Sequence, residues 1–189
     1  MKNMKPLNRF IVLSCAFAVC FAFSFVDTIY TNDKGKISFV SKAPLEVIKA
    51  ESNQLNSVID VTKRTFAFSV LINSFEGFNA PLQKEHFREN YMESEKFPKA
   101  TFKGKIIEDV DLTKTGVYNV RAKGLLNVHG VEKDKIINAK VTVAEGKISL
   151  ESVFTVTLEE INIRIPKVVN QKIAPAMDIT VKTDLSPKK

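Results

Sequence analysis

The stretch Tyr118-Asn119-Val120-Arg121-Ala122-Lys123-Gly124-Leu125-Leu126-Asn127-Val128 decides the fold of this 189-residue chain. Tyr118, Val120, Ala122, Gly124, Leu126 and Val128 fall on one side of an extended backbone. Asn119, Arg121, Lys123 and Asn127 fall on the other. A period of two places alternate side chains on opposite faces of a strand, so this segment has one apolar and one wet face. His129-Gly130 ends it, and glycine suits the positive φ of a tight hairpin.

The same period recurs on both sides. Toward the N-terminus it runs through Ile37, Phe39 and Ser41, then Phe66, Phe68, Val70 and Ile72, then Phe102, Gly104 and Ile106. Toward the C-terminus it runs through Ile137, Ala139, Val141 and Val143, then Ile148 to Leu158 on even positions, then Met177, Ile179 and Val181. Buried parallel strands read as apolar on both faces, whereas antiparallel sheets show this alternation. Two weaker segments, Pro44 to Ala50 and Asn53 to Asp60, fill the gap before Arg64. Asp33-Lys34-Gly35, Lys114-Thr115-Gly116 and Glu145-Gly146 are further turn signals. The expectation is an all-β, antiparallel, eight-stranded sheet that hides its apolar face and its edges by closing into a barrel.

Two segments interrupt the pattern. Pro81 to Met92 is rich in helix formers, with Leu82, Phe87 and Tyr91 at helical spacing, and predicts a short helix that starts at Pro81 and ends before Pro98. Pro166 to Ala176 predicts a loop or one helical turn. Ser186 to Lys189 reads as a flexible tail.

At the N-terminus, Lys2, Lys5 and Arg9 precede the uncharged apolar run Phe10 to Phe23, and Ala22-Phe23-Ser24 supplies small residues for cleavage. Residues 1–24 are therefore expected to be a signal peptide, 25–185 the barrel and 186–189 the tail. The destination is the periplasm or beyond. The apolar run is short for a span, and no second one follows, so no stable membrane span is expected after cleavage. Neither Ser14-Cys15 nor Val19-Cys20 makes a convincing lipidation site. Both cysteines lie in this segment, so the mature chain holds no disulfide, thiol nucleophile or Cys-ligated metal. Removing Lys2, Lys5 and Arg9 from the 28 basic residues leaves 25 against 21 acidic ones. The lysines are scattered on the wet face, which argues against nucleic acid as a partner.

An eight-stranded barrel is filled by side chains or holds one small ligand. The inward apolar set nominates Phe39, Phe66, Phe68, Val70, Ile72, Phe102, Tyr118, Val120, Leu126, Phe154 and Val156 as the wall of a ligand cavity. Ala122, Gly124, Ala139 and Ser152, small residues in the same rows, are expected to leave room. A core filled by large residues facing small ones is equally compatible with the pattern.

Four motifs extend the reading. Asn73-Ser74-Phe75 comes with Gln83, Glu85-His86-Phe87 and Asn90-Tyr91-Met92. Phe97-Pro98-Lys99-Ala100-Thr101-Phe102-Lys103-Gly104 follows. Then come Gly124-Leu125-Leu126-Asn127-Val128-His129-Gly130-Val131, and Phe154 with Ile163 and Ile165-Pro166. In this order they resemble the YceI-like family of secreted polyisoprenoid-binding proteins. The resemblance implies a lipocalin-like barrel with a short helical insertion, holding a long-chain polyprenyl or quinone-like lipid. Glu160-Ile161-Asn162 departs from the Asp-Tyr-Gly that many members carry there, which bears on head-group preference. His86, Phe87 and Tyr91, on the insertion, are candidates for the mouth and the head group.

Catalytic signals are weak. His86 and His129 are the only histidines, too few to hold zinc, and no Gly-x-Ser-x-Gly elbow or phosphate loop occurs. His129 reads as a turn residue whose ring bonds backbone. The expected partner is a hydrophobic lipid and the expected cofactor is none beyond it; a homodimer is compatible with the sequence. The leading function is carriage of an isoprenoid-type lipid without catalysis. The alternatives are a solid-core structural or protein-interaction module and, more weakly, a hydrolase of small esters.

Overall fold

The computed structural model describes residues 29–188; the expected signal peptide lies outside the described residues. Eight strands run β1 (Ile29–Lys42), β2 (Val47–Asp60), β3 (Thr65–Leu71), β4 (Lys99–Ile106), β5 (Gly116–Val128), β6 (Val131–Ala144), β7 (Lys147–Thr157) and β8 (Ala176–Pro187). Each pairs antiparallel with its neighbour in sequence, and β1 pairs with β8, so the sheet is a closed up-and-down barrel. The two segments expected over Pro44 to Asp60 are one 14-residue strand, β2.

Connections alternate between the two ends. Residues 61–64, 107–115 and 145–146 close one end; residues 43–46, 72–98, 129–130 and 158–175 gather at the other. Both two-residue hairpins have positive φ throughout, His129 and Gly130 at 54° and 71°, Glu145 and Gly146 at 51° and 70°. This is the type I′ geometry that matches strand twist.

Asp33-Lys34-Gly35 is no turn. It lies inside β1, where the register to β2 shifts on either side of Gly35. A Cβ on Gly35 would sit 2.8 Å from Thr183 Oγ1 and 3.0 Å from the Leu55 carbonyl oxygen. The glycine therefore permits close approach at a bulge. The expected tail is also shorter than its sequence suggests: Ser186 and Pro187 pair with Thr31 and Tyr30 at the barrel seam.

The first closed end is packed solid. Tyr30, Ile59, Phe66, Leu112, Val120, Val141, Val143, Ile148 and Leu185 are buried together there, with Leu112, Val141, Ile148 and Leu185 wholly inaccessible. Burying such side chains contributes roughly 1.5–3 kcal/mol each. The Ser57 hydroxyl donates to Thr183 Oγ1 at 3.2 Å, and the Asn32 amide donates to the same oxygen at 3.1 Å. Those polar groups are thus satisfied inside the core.

The long 72–98 connection covers an edge. β3 has only seven residues and pairs with Asn56–Asp60, leaving the first part of β2 open on that side. Glu76 exchanges both backbone hydrogen bonds with Glu51 at 2.8 Å, and Ser74 contacts Ser52 at 2.6 Å between hydroxyl oxygens. The helix α1 (Pro81–His86) starts with proline in its first turn, then widens into a π-turn over Phe87–Tyr91. π-turns concentrate at functional sites because they re-aim side chains within a helix.

Candidate functional site

A cavity of about 470 Å³ occupies the half of the barrel under the four-connection end. Its wall has three parts. Strand residues Ile37, Phe39, Ile48, Val70, Ala100, Leu126, Val128, Phe154, Val156, Met177 and Ile179 form the sides. Phe75, Phe78, Leu82, Phe87, Tyr91 and Met92 come from the insertion. Leu158, Ile161, Ile163, Val169 and Ile173 come from the 158–175 connection. Below it a void of about 90 Å³ shares Ile37, Val70, Ala100, Leu126 and Phe154, and adds Leu55, Phe68 and Phe102. The two spaces form an apolar tube with a packed floor.

Phenylalanines hold the insertion on the barrel. The Phe39 ring lies 5.3 Å from Phe87, 5.7 Å from Phe75 and 6.0 Å from Phe78, and Phe78 lies 5.0 Å from Phe87. Centroid separations of 4.5–7 Å are the range in which aromatic pairs attract. One strand residue thus anchors three rings of the connection, and the cluster walls one side of the opening.

Among the described residues, the polar side chains lining the main cavity are Ser41, Glu46, Gln83, His86, Tyr91 and Lys172. Glu46 accepts from Gln83 Nε2 at 3.0 Å and Asn79 Nδ2 at 3.3 Å. Ser41 Oγ accepts the Ala174 N–H at 2.9 Å. His86, Tyr91 and Lys172 reach the cavity without a side-chain hydrogen bond to any other described residue. Burial pushes the Tyr91 phenol above its ordinary value, since the phenolate is poorly solvated there. Beside the opening, the hydrogen bond from Lys42 holds the Asp178 carboxyl below the usual carboxylate range. Among the described residues no group of three His, Cys, Asp or Glu side chains converges as a metal site.

The structure divides the nominated wall residues by height. Phe39, Val70, Ile72, Leu126, Phe154 and Val156 line the main cavity; Phe68 and Phe102 line the smaller void beneath. Phe66, Tyr118 and Val120 face inward but sit in the packed closed end, so they support the floor and do not line the cavity. Tyr118 is further pinned there by its hydroxyl, which donates to the Lys114 carbonyl at 2.9 Å. His86, Phe87 and Tyr91 are at the mouth. Phe75, Phe78, Leu82, Ile161 and Ile163 complete the lining from connections, where no alternation marks an inward face. Phe75 and Ile163 are marked in the sequence by motifs, Asn73-Ser74-Phe75 and Ile163 with Ile165-Pro166.

His129 joins three connections. Its Nδ1 lies 3.0 Å from the Ile161 carbonyl oxygen, its Nε2 lies 2.8 Å from a Glu93 carboxylate oxygen, and its ring stands edge-on to Phe97 at 4.9 Å. The expected backbone bond is present, with a hydrogen bond to the Glu93 carboxylate of the insertion beside it. Asn162, the last residue of the Glu160-Ile161-Asn162 triplet, adopts φ 58°. Glu160, two residues earlier, pairs with Lys135 at 2.7 Å, and Ile161 is the residue of the triplet that lines the cavity.

The same architecture is found in proteins of low sequence similarity. A polyisoprenoid binding domain from Saccharophagus degradans superposes with a TM-score of 0.72 at 14% identity, over 85% of this chain and 99% of that one. Burkholderia cenocepacia BcnA gives 0.65 at 17% identity over 81% and 96%. A Campylobacter jejuni YCEI mutant crystallised with a monobromobimane guest gives 0.53 at 14% identity over 97% and 100%. No curated protein matches the chain. Residues 29–185 match the YceI-like domain, and the chain belongs to that family.

Proposed function

We propose that this protein is a non-catalytic carrier of an isoprenoid-type lipid, polyprenyl or quinone-like, whose tail lies in the barrel and whose head group stays at the mouth. The observation that carries the proposal is the cavity of about 470 Å³, lined mainly by apolar side chains. Ligand sites typically span about 300–1,000 Å³. Close-packed interiors leave few voids larger than a water molecule, which disfavours the solid-core reading. Each methylene-sized group moved from water into such a tube contributes about 0.8 kcal/mol. The polyisoprenoid-binding description of the Saccharophagus degradans domain supports the ligand class. We place the mature protein in the periplasm or secreted, on the strength of residues 1–24.

Ester hydrolysis needs a nucleophile within hydrogen-bond reach of a base. The cavity's buried hydroxyl, Ser41, is bound to the Ala174 amide, and His86 has no hydrogen-bonded partner among the described residues. Native mass spectrometry of protein purified gently from its own compartment tests the carrier reading. A co-purifying adduct of lipid mass is the expected result. A bare mass that persists after incubation with polyprenyl and quinone probes would sink the proposal.

A further inference from the structure

Exposed large apolar side chains on this barrel are not evenly spread. Val58, Val117, Ile136 and Val153 are on strands of the outer wall and Ile107 is at the closed end, whereas Val47 and Leu71 are at strand ends of the open end and Leu45, Leu82 and Val168 belong to its connections. Val168 is 87% exposed, Leu45 67% and Leu82 58%, the first and third from two connections that line the cavity. Their proximity is fixed by bonds between the connections. The Leu45 N–H donates to the Gln171 carbonyl at 2.9 Å, and Gln83, next to Leu82, donates to Glu46, next to Leu45, at 3.0 Å.

The charge around this patch has one sign on one side. From Asn162 to Met177 the chain carries Arg164, Lys167 and Lys172 and no acidic residue. All three cations are exposed, and none forms an ion pair among the described residues. Of the carboxylates at this end, Asp178 is engaged by Lys42 and Glu46 by Asn79 and Gln83, whereas Glu159, at the start of the same connection, is exposed and forms no ion pair among the described residues. The exposed Glu85 and Glu89 belong to the helical side of the opening. Apolar side chains beside unpaired cations match the boundary between acyl chains and anionic head groups.

We propose that the open end of the barrel docks on an anionic lipid bilayer, with Leu45, Leu82 and Val168 entering the head-group layer and Arg164, Lys167 and Lys172 held by its negative charge. The cavity mouth then faces the membrane, and an apolar chain passes between bilayer and barrel without crossing water. Docking needs no ligand in the cavity, so it stands or falls separately from the carrier reading.

The test is hydrogen exchange on the full chain with vesicles of phosphatidylglycerol and phosphatidylcholine, and with vesicles of phosphatidylcholine alone. Anionic vesicles should slow exchange at residues 162–172 and around Leu82 several-fold and leave the 144–147 hairpin at the far end unchanged. Lys167→Glu with Lys172→Glu should abolish that slowing, since each cation near an anionic surface is worth about 1 kcal/mol, roughly five-fold in partitioning. Val168→Asp should weaken it without changing exchange in the strands, because Val168 packs against little. Unchanged exchange at the rim in wild type, with the chain held to vesicles only through residues 1–28, would overturn the proposal. So would equal protection on phosphatidylcholine alone, equal protection in the charge variant, or protection that follows protein concentration without vesicles and so reports a second copy.

Discussion

Gly104 and Gly124 stand directly opposite one another across β4 and β5, and neither has room for a methyl group. A Cβ on Gly104 would lie 2.1 Å from the Lys123 carbonyl oxygen, and one on Gly124 would lie 2.3 Å from that of Lys103. The obstacles are backbone atoms, which cannot swing aside. The small inward residue at 124 therefore does not open space for ligand, as the sequence suggested. It lets two strands approach. Gly104→Ala and Gly124→Ala should each destabilise by about 1–3 kcal/mol, the usual range for overpacking. In a chain of this size that lowers Tm by about 2–4 °C per kcal/mol. Both changes demand the same strand separation, so the double variant should lose less than the sum of the singles. Thermal unfolding of the three variants checks this; additive losses would show that the two sites relax independently.

The pair also illustrates what alternation does and does not encode. Period two reports whether a side chain faces in or out, and on that score β5 to β8 were legible. It carries no information on height along the barrel axis, which register and strand tilt set. Phe66 and Phe68 are indistinguishable by pattern, yet Phe66 is buried in the floor and Phe68 lines the void above it. Glycine is ambiguous for a related reason: Gly130 and Gly146 serve positive φ, whereas Gly35 serves close packing. Much of the site comes from connections such as Phe75–Phe78 and Leu158–Ile163, whose inward faces follow from tertiary docking and have no local period.

Ala100 offers a way to fill the cavity without disturbing the floor. It is partly buried on β4, lines both the main cavity and the void below, and pairs with Val70. Ala100→Leu places three more carbons in empty apolar space. Thermal stability should hold or rise by about 0.5–2 kcal/mol, as cavity-filling changes commonly do. Uptake of a polyprenyl probe should fall at least ten-fold, since the probe competes for the same volume. Fluorescence titration with a labelled polyprenyl probe and a melting curve measure both. Unchanged uptake would place the tail elsewhere.

His129 sits between two hydrogen-bond acceptors, the Ile161 carbonyl and the Glu93 carboxylate. Each ring nitrogen faces one acceptor, and the contact with Glu93 is an ion pair only when the imidazole is protonated. It ties the segment after the π-turn to the 158–163 connection, two of the three pieces that wall the mouth. His129→Ala should cost about 1–3 kcal/mol, the loss of hydrogen bonds to charged groups. Amide exchange should accelerate at 93–98 and 161–163 and stay unchanged in the closed end. Glu93→Gln retains a carbonyl acceptor and should have the smaller effect. Equal effects of the two variants on exchange would assign the role to the charge alone.

Tyr91 links burial at the mouth to alkaline stability. Its phenol titrates above the ordinary value of 10.0 because the folded site disfavours the phenolate. The sign follows from linkage. Below the ordinary value both states are neutral, and Tyr91 adds no pH dependence. As pH rises past about 10 the unfolded chain ionises first, which favours unfolding, and stability falls until the folded phenol also titrates. Tyr91→Phe should therefore flatten the alkaline limb of the stability curve and leave neutral pH unaffected by the ionisation term. Spectrophotometric titration resolves the group, because phenolate absorbance lost in the variant belongs to Tyr91. A lipid tail filling the cavity beside Tyr91 would exclude more water and raise the value further, so the same titration with and without a polyprenyl probe reports occupancy. A titration identical in both conditions would mean that the bound probe leaves Tyr91 as wet as before, and would move the tail's path away from the π-turn.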